Sequence, residues 1–246
     1  MFLIILATIC EFIDSFLGMM YGTILSPVLI ILGFDPQVVI PAILFSETLS
    51  GFTSAYWHHI RKNTQLSPKS KGFKIASLIG LLGIVGIILG ALVGINISKI
   101  WLQTYIGLLC VVMGLLVLSN KKFKFTWKKI LGLGMIGSFN KALSGGGFGP
   151  IISSGQILSG RQPKDSIGAT SLSEGFVCLI AFLMWFIMGK ALDWNLILSL
   201  TIGSLIGAFL GPLALTKIKS KNLLRKTVGL LSILLGVWTL LKTYLL

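Results

Sequence analysis

Apolar residues fill this chain in long stretches, and the punctuation between them is glycine, proline and clustered lysine. The stretches run 2–33, 37–60, 75–97, 100–119, 130–160, 164–188, 195–216 and 223–245. Six of them suit the roughly 20 residues with which a helix spans a bilayer. The other two, 2–33 and 130–160, exceed one span and are interrupted from within. The sharper interruption reads Ser144-Gly145-Gly146-Gly147-Phe148-Gly149-Pro150. Glycines packed so densely end a helix, because Gly in a helix interior costs roughly 1 kcal/mol against Ala. Pro150 suits the first turn of a new helix, where its missing N–H is not needed. The pattern predicts two short arms, about Lys129–Leu143 and Phe148–Gly160, meeting at a glycine tip as a re-entrant hairpin or broken helix. Bare backbone at that depth is tolerated only where protein or a wet cavity covers it. The second arm points its N–H groups and positive dipole end at the tip, which favours an anion there.

Composition agrees with the pattern. The chain is 54% hydrophobic and 11% charged, with a mean hydropathy of +0.94. This is a polytopic protein of the cell membrane. No Lys or Arg precedes Arg61, so the apolar start lacks the charged region of a cleavable signal and is read as part of the fold. Cys10, Cys110 and Cys178 all lie in apolar segments with no metal or disulfide spacing, and are read as inert thiols.

The net charge of +14 is confined. Fifteen of the 21 Lys and Arg fall in three loops, Arg61–Lys74, Lys121–Lys129 and Lys217–Lys226, and none of the seven acids does. That is the positive-inside pattern of cytoplasmic loops touching anionic lipid, not a nucleic-acid surface. Parity between these loops then requires 130–160 to enter and leave on one side, as a hairpin does. Both termini face outward on this reading.

Shifting the sequence by 127 aligns Glu11–Gly51 with a second copy of itself, with twelve identities in 41 pairs. Composition alone would give about three or four. Gly18 meets Gly145, Gly22 meets Gly149, Pro36 meets Pro163 and Glu47 meets Glu174. The basic loops put 37–60 and 164–188 in opposite directions. The expected fold is therefore all-α and polytopic. Two inverted repeats, 1–120 and 121–246, each contribute a hairpin and three transmembrane helices to one membrane domain. Such repeats bind substrate near the midplane where they meet. Glycine rows at Gly83, Gly86, Gly90 and Gly94, and at Gly203, Gly207 and Gly211, suit close helix packing. Packing within the chain is the preferred use; a homodimer is the alternative.

Charged groups at membrane depth are functional suspects. Glu47 and Glu174 each sit about ten residues into a span, roughly 15 Å deep in a 30 Å core. Two roles stay open for them: carrying protons, or tying down the hairpin tips. Thr170 and Ser171 lie beside Glu174. Asp14 and Lys141 occupy equivalent positions before the two tips. Lys141 either attracts an anionic substrate or pairs with Asp14 or a glutamate. His58 and His59 close a span near the basic side and are read as structural. No nucleotide loop, catalytic triad, metal cluster or cofactor motif is present in the sequence.

The tip Ser144–Pro150, the segment Ile167-Gly168-Ala169-Thr170-Ser171-Leu172, and Gly18-Met19-Met20-Tyr21-Gly22 with Pro27 together resemble the sulfite exporter TauE/SafE family of anion transporters. The resemblance covers nearly the whole chain. It implies a carrier of sulfur-containing or organic anions such as sulfite, sulfonates, sulfoacetate or thiosulfate, without a cofactor. It also implies substrate contacts at Gly18, Tyr21, Gly22, Ser144, Gly145, Gly146, Gly147, Phe148 and Gly149, with Thr170, Ser171 and Lys141 nearby. Met19 and Met20 depart from the small residues usual at the first tip. A secondary transporter, with or without proton coupling, is the leading expectation. A passive channel is the alternative, and an integral membrane enzyme the weakest one, since no nucleophile accompanies the carboxyls.

Overall fold

The computed structural model describes residues 1–94, 98–119, 126–188 and 192–245. Lys121, Lys122 and Lys124 of the second basic loop, and the 120/121 boundary between the expected repeats, lie outside them. The described residues form ten helices and no strand: α1 (Phe2–Leu17), α2 (Tyr21–Ile31), α3 (Pro36–Ile60), α4 (Lys71–Gly94), α5 (Lys99–Leu118), α6 (Trp127–Ser144), α7 (Phe148–Leu158), α8 (Pro163–Ile187), α9 (Trp194–Lys217) and α10 (Lys221–Leu245). Among the described residues, four segments are long and apolar enough to cross a bilayer, Gln37–Ile60, Lys71–Gly94, Pro163–Ile187 and Trp194–Lys217. Helices α5 and α10 carry the shorter apolar stretches Gln103–Val112 and Gly229–Tyr244. Leu81, Val85 and Leu92 on α4 and Leu198 and Ile202 on α9 face outward. A bilayer, not water, accounts for aliphatic surface of that extent. This is an all-α polytopic membrane protein.

Both interrupted stretches are helical hairpins. Helix α1 ends at Gly18 and α6 at Gly145, each glycine in the left-handed region with φ of 77° and 71°. That conformation lets the glycine N–H close the last turn, onto the carbonyl of Asp14 and of Lys141 respectively. The correspondence extends further. Helices α2 and α7 both have 11 residues, and α3 and α8 both have 25, with starts 127 positions apart. Thr126 starts α6 two residues ahead of the expected arm, its hydroxyl accepting from the Lys129 N–H at 3.3 Å.

The first arm of each hairpin docks on the far half of the chain, α1 against α9 and α6 against α4. The glycine rows make those contacts. A Cβ on Gly86 or Gly90 would strike the carbonyl oxygen of Met135 or Phe139 on α6, and one on Gly203 would strike that of Ile4 on α1. Helices α5 and α10 pair through Gly107 with Gly236 and Gly114 with Gly229. Among the described residues three apolar cores result, one joining Leu17 and Met19 to Ile157, Ile167 and Leu215, and two around the hairpins. One surrounds the second hairpin, with Ile79, Ile87, Phe148, Ile152 and Trp185. The other surrounds the first, with Ala7, Tyr21, Leu25, Ile43 and Leu200. Helices α3 and α8 run between them and carry the two deep glutamates.

Candidate functional site

The hairpin tips meet directly. The space beside Gly22, Gly146 and Gly149 is filled by backbone of the other tip. A Cβ on Gly146 would lie 2.9 Å from the Gly22 carbonyl oxygen, and one on Gly149 would lie 2.7 Å from Met19 Cα. A Cβ on Gly22 would strike the Gly145 carbonyl oxygen. Two hydrogen bonds cross the junction. Gly147 N–H donates to Thr23 Oγ1 at 3.1 Å, and Ser153 Oγ donates to the Gly18 carbonyl at 2.9 Å. Glycine is thus required here for backbone-to-backbone approach. In this conformation the opposing tip occupies the space beside Gly22, Gly146 and Gly149. Ser144 steadies its own tip, its Oγ accepting from the Gly146 N–H at 3.2 Å.

Lys141 lies between the two glutamates. Its Nζ is 2.5 Å from Glu47 Oε2 and 2.7 Å from Glu174 Oε1, and all three side chains are almost wholly buried. The fold explains the meeting. Lys141 is in the last turn of α6, Glu47 and Glu174 are mid-way along α3 and α8, and those two helices pack against each other. Of the partners the sequence left open for Lys141, the glutamates take the ammonium and Asp14 does not. Asp14 Oδ1 instead accepts the Tyr21 N–H at 3.2 Å, tying the first tip together. Asp14 remains a near neighbour of Glu174. Glu11 completes the group, its Oε1 accepting from Ser15 Oγ at 2.6 Å and its Oε2 from Ser50 Oγ at 3.1 Å. Four buried carboxyls therefore share one cluster with a single ammonium, which only Glu47 and Glu174 contact, and full ionisation leaves the cluster negative. Burial makes such an imbalance expensive.

Glu47, Glu174 and Cys178 place one ligand atom each within 4.8 Å of one another, a spacing that could hold a metal ion. The Lys141 ammonium lies against two of these donors, Glu47 Oε2 and Glu174 Oε1.

The remaining expected residues are distributed around this centre. Tyr21 Oη lies 2.9 Å from Ser46 Oγ, inside the first core. Phe148 is in the second core. Thr170 Oγ1 lies 3.0 Å from Ser153 Oγ, and Ser171 Oγ accepts from Ser54 Oγ at 3.2 Å, joining α8 to α3. His58 is buried, with Nε2 2.9 Å from the Ser15 carbonyl and Nδ1 3.3 Å from Asn63 Nδ2. His59 Nδ1 accepts from the Leu66 N–H.

Glu11, one turn before Asp14, was legible as a charge inside an apolar stretch. Three other site residues escaped the sequence reading. Gln156 and Ser153 sit one turn apart on an otherwise apolar arm. Asn140 gave no signal at all. It is fully buried beside Gly147, and among the described residues neither of its side-chain polar atoms has a hydrogen-bond partner.

Comparison with known proteins places this arrangement among transporters. The family described as "Sulfite exporter TauE/SafE" matches residues 3–239. A "Probable membrane transporter protein YtnM" of Bacillus subtilis (strain 168) is 25% identical, with 96% of this chain and 80% of that one covered. A "Probable membrane transporter protein" of Xylella fastidiosa (strain 9a5c) is 26% identical over 186 residues, 70% of each chain. No solved structure gives a significant match.

Proposed function

The chain belongs to the sulfite exporter TauE/SafE family of membrane transporters, and on that footing we propose that it is a secondary carrier of small sulfur-containing or organic anions, working by alternating access between two inverted repeats. The observation that carries this reading is the Glu47–Lys141–Glu174 cluster set beside two apposed glycine tips. A lysine held between two acids is a cation whose charge can be released. Protonating either glutamate loosens one partner and leaves the ammonium free to attract an anion. The positive end of α7 and the unspent amide of Asn140 lie at the same tip. The anion meets these groups when the tips part, and the protons bound by the carboxyls travel with it.

The repeat reading draws support from the matched helix lengths and from the reciprocal docking of α1 on α9 and α6 on α4. The sidedness draws support from the loops. Lys62, Gln65 and Lys71 line one cavity with Ser159, Arg161 and Asp165, and Asn63 lines another with Lys164 and Lys219. Two of the three basic loops thus lie on one face with the outer end of the second hairpin, as parity demands.

Counterflow in proteoliposomes tests the function. Vesicles preloaded with unlabelled sulfite, sulfoacetate or thiosulfate should take up the labelled anion faster than empty ones, because only a carrier shows trans-acceleration. Flux without trans-acceleration would assign a channel. No flux with any anion of the panel would remove the substrate class.

A further inference from the structure

The cavity between the α3–α4 loop and the α7–α8 loop has a volume of about 690 Å³ and a cationic lining. Lys62, Lys71 and Arg161 face it against the single carboxylate of Asp165. Arg161 is partly buried there. Burial lowers its pKa, with Asp165 opposing, yet a guanidinium stays charged in a protein. Its Nη1 donates to Gln156 Oε1 at 2.5 Å and its Nη2 to the Asp165 carbonyl at 3.5 Å. A guanidinium has donors to spare beyond these two.

Behind Arg161 the polar contacts continue inward without a break. Gln156 is fully buried, and its Nε2 donates to Thr170 Oγ1 at 3.0 Å. Thr170 Oγ1 lies 3.0 Å from Ser153 Oγ, which reaches the Gly18 carbonyl at the first tip. A file of hydrogen-bonding side chains therefore joins the cavity to the tip junction. Burying a glutamine and two hydroxyls in an apolar protein is costly unless each is bonded, and leucine would fill α7 at lower cost. The other half of the chain uses apolar residues at three of these four places. Counting back 127 positions from Gln156, Arg161 and Thr170 gives Leu29, Phe34 and Ile43, which pack in one apolar core, while Ser153 meets Ser26. The file is thus present on one side only.

We propose that this cavity is an anion-binding antechamber, in which Arg161 with Lys62 and Lys71 captures the transported oxyanion and delivers it along Gln156, Thr170 and Ser153 to the tips. The proposal rests on the anion-carrier reading above. It makes the protein asymmetric: capture is electrostatic on the basic face and not on the opposite one.

The test is equilibrium binding of radiolabelled sulfite, sulfoacetate and thiosulfate to purified wild type, Arg161→Gln and Lys62→Gln, at low and molar salt, with uptake measured in parallel. Losing one charge-assisted contact should weaken binding of the transported anion about tenfold in Arg161→Gln at low salt. Lys62→Gln, on an exposed turn, should weaken it about threefold. At molar salt, where the screening length falls to about 3 Å, wild type and variants should converge. If Arg161→Gln does not fold, Lys62→Gln decides alone. Affinity unchanged in the variants, with uptake intact, overturns the antechamber and leaves transport standing. A weakening that persists at molar salt assigns Arg161 to holding Gln156 in place and also overturns it. A wild type that neither binds nor transports any of the three anions removes the carrier reading and the antechamber together.

Discussion

Lys141 holds two buried carboxylates, so its loss is expected to be expensive in a specific way. Lys141→Met strands two acids in the core, and breaking a buried pair by removing one partner costs about 3–5 kcal/mol. The triple variant Lys141→Met/Glu47→Gln/Glu174→Gln carries no charge at these positions and should recover most of that loss while remaining inactive. Thermal unfolding in detergent, read beside uptake, distinguishes the two; a single variant as stable as wild type would show that the ion pair supports nothing. Met20 offers a second residue-scale outcome. Its φ of 139° is where the second tip places Gly147, at φ 75°. A side chain held in such a region stores about 1–3 kcal/mol. Met20→Gly should therefore raise the unfolding temperature or leave it unchanged, and a clear drop would mean that the partly buried side chain outweighs the strain. The charges themselves were legible, because an acid or lysine inside an apolar stretch is conspicuous. Which acid meets Lys141 was not, since the pairing depends on how α6, α3 and α8 pack. Asn140 was invisible because nothing local marks an amide as unsatisfied.

At the scale of the helix, the glycines sort into those that touch and those that do not. Gly86 faces the α6 backbone, whereas nothing lies within 4 Å of a Cβ built on Gly132. Gly132→Ala should thus stabilise by up to about 1 kcal/mol through helix propensity. Gly86→Ala should destabilise by pushing α4 off α6. Paired unfolding curves check the opposite signs, and two shifts of the same sign would contradict the packing. The tip behaves like Gly86. Gly146→Leu drives a side chain into Gly22 and Thr23, so folded yield and transport should fall together; a monodisperse variant with normal uptake would show that the tips do not close on each other. Sequence periodicity located both hairpins and the matched helices because glycine runs and a fixed offset are local facts. It missed that each tip fills the space beside the other. That contact joins residues over 120 positions apart, and only assembly of the two halves produces it.

The whole molecule brings two hairpin tips together at a common centre; in the proposed arrangement they reach it from opposite faces, with the basic loops gathered on one. On a cysteine-free background, an impermeant thiol reagent should label single cysteines at Lys69 and Lys219 only from the cytoplasm, and at Asp35 and Asn195 only from outside. Labelling of Lys69 from outside would sink the inverted arrangement. The mechanism depends on the centre. Glu174 faces Lys141 from α6, Glu47 from α3, Asp14 and Glu11 from α1, and Cys178 on its own helix. Protons added to this cluster reduce its negative charge, so an anion should bind more tightly as pH falls. Glu174→Gln keeps the shape while removing one proton site, and Glu47→Gln should act in the same direction more weakly. The decisive measurement is the affinity of the transported anion across pH for wild type and Glu174→Gln. Tighter binding by the wild type at acid pH, with a flattened profile in Glu174→Gln that still binds, is the predicted result. A Glu174→Gln variant that keeps the wild-type pH profile and full transport rate would contradict proton coupling and leave both glutamates as structural ties.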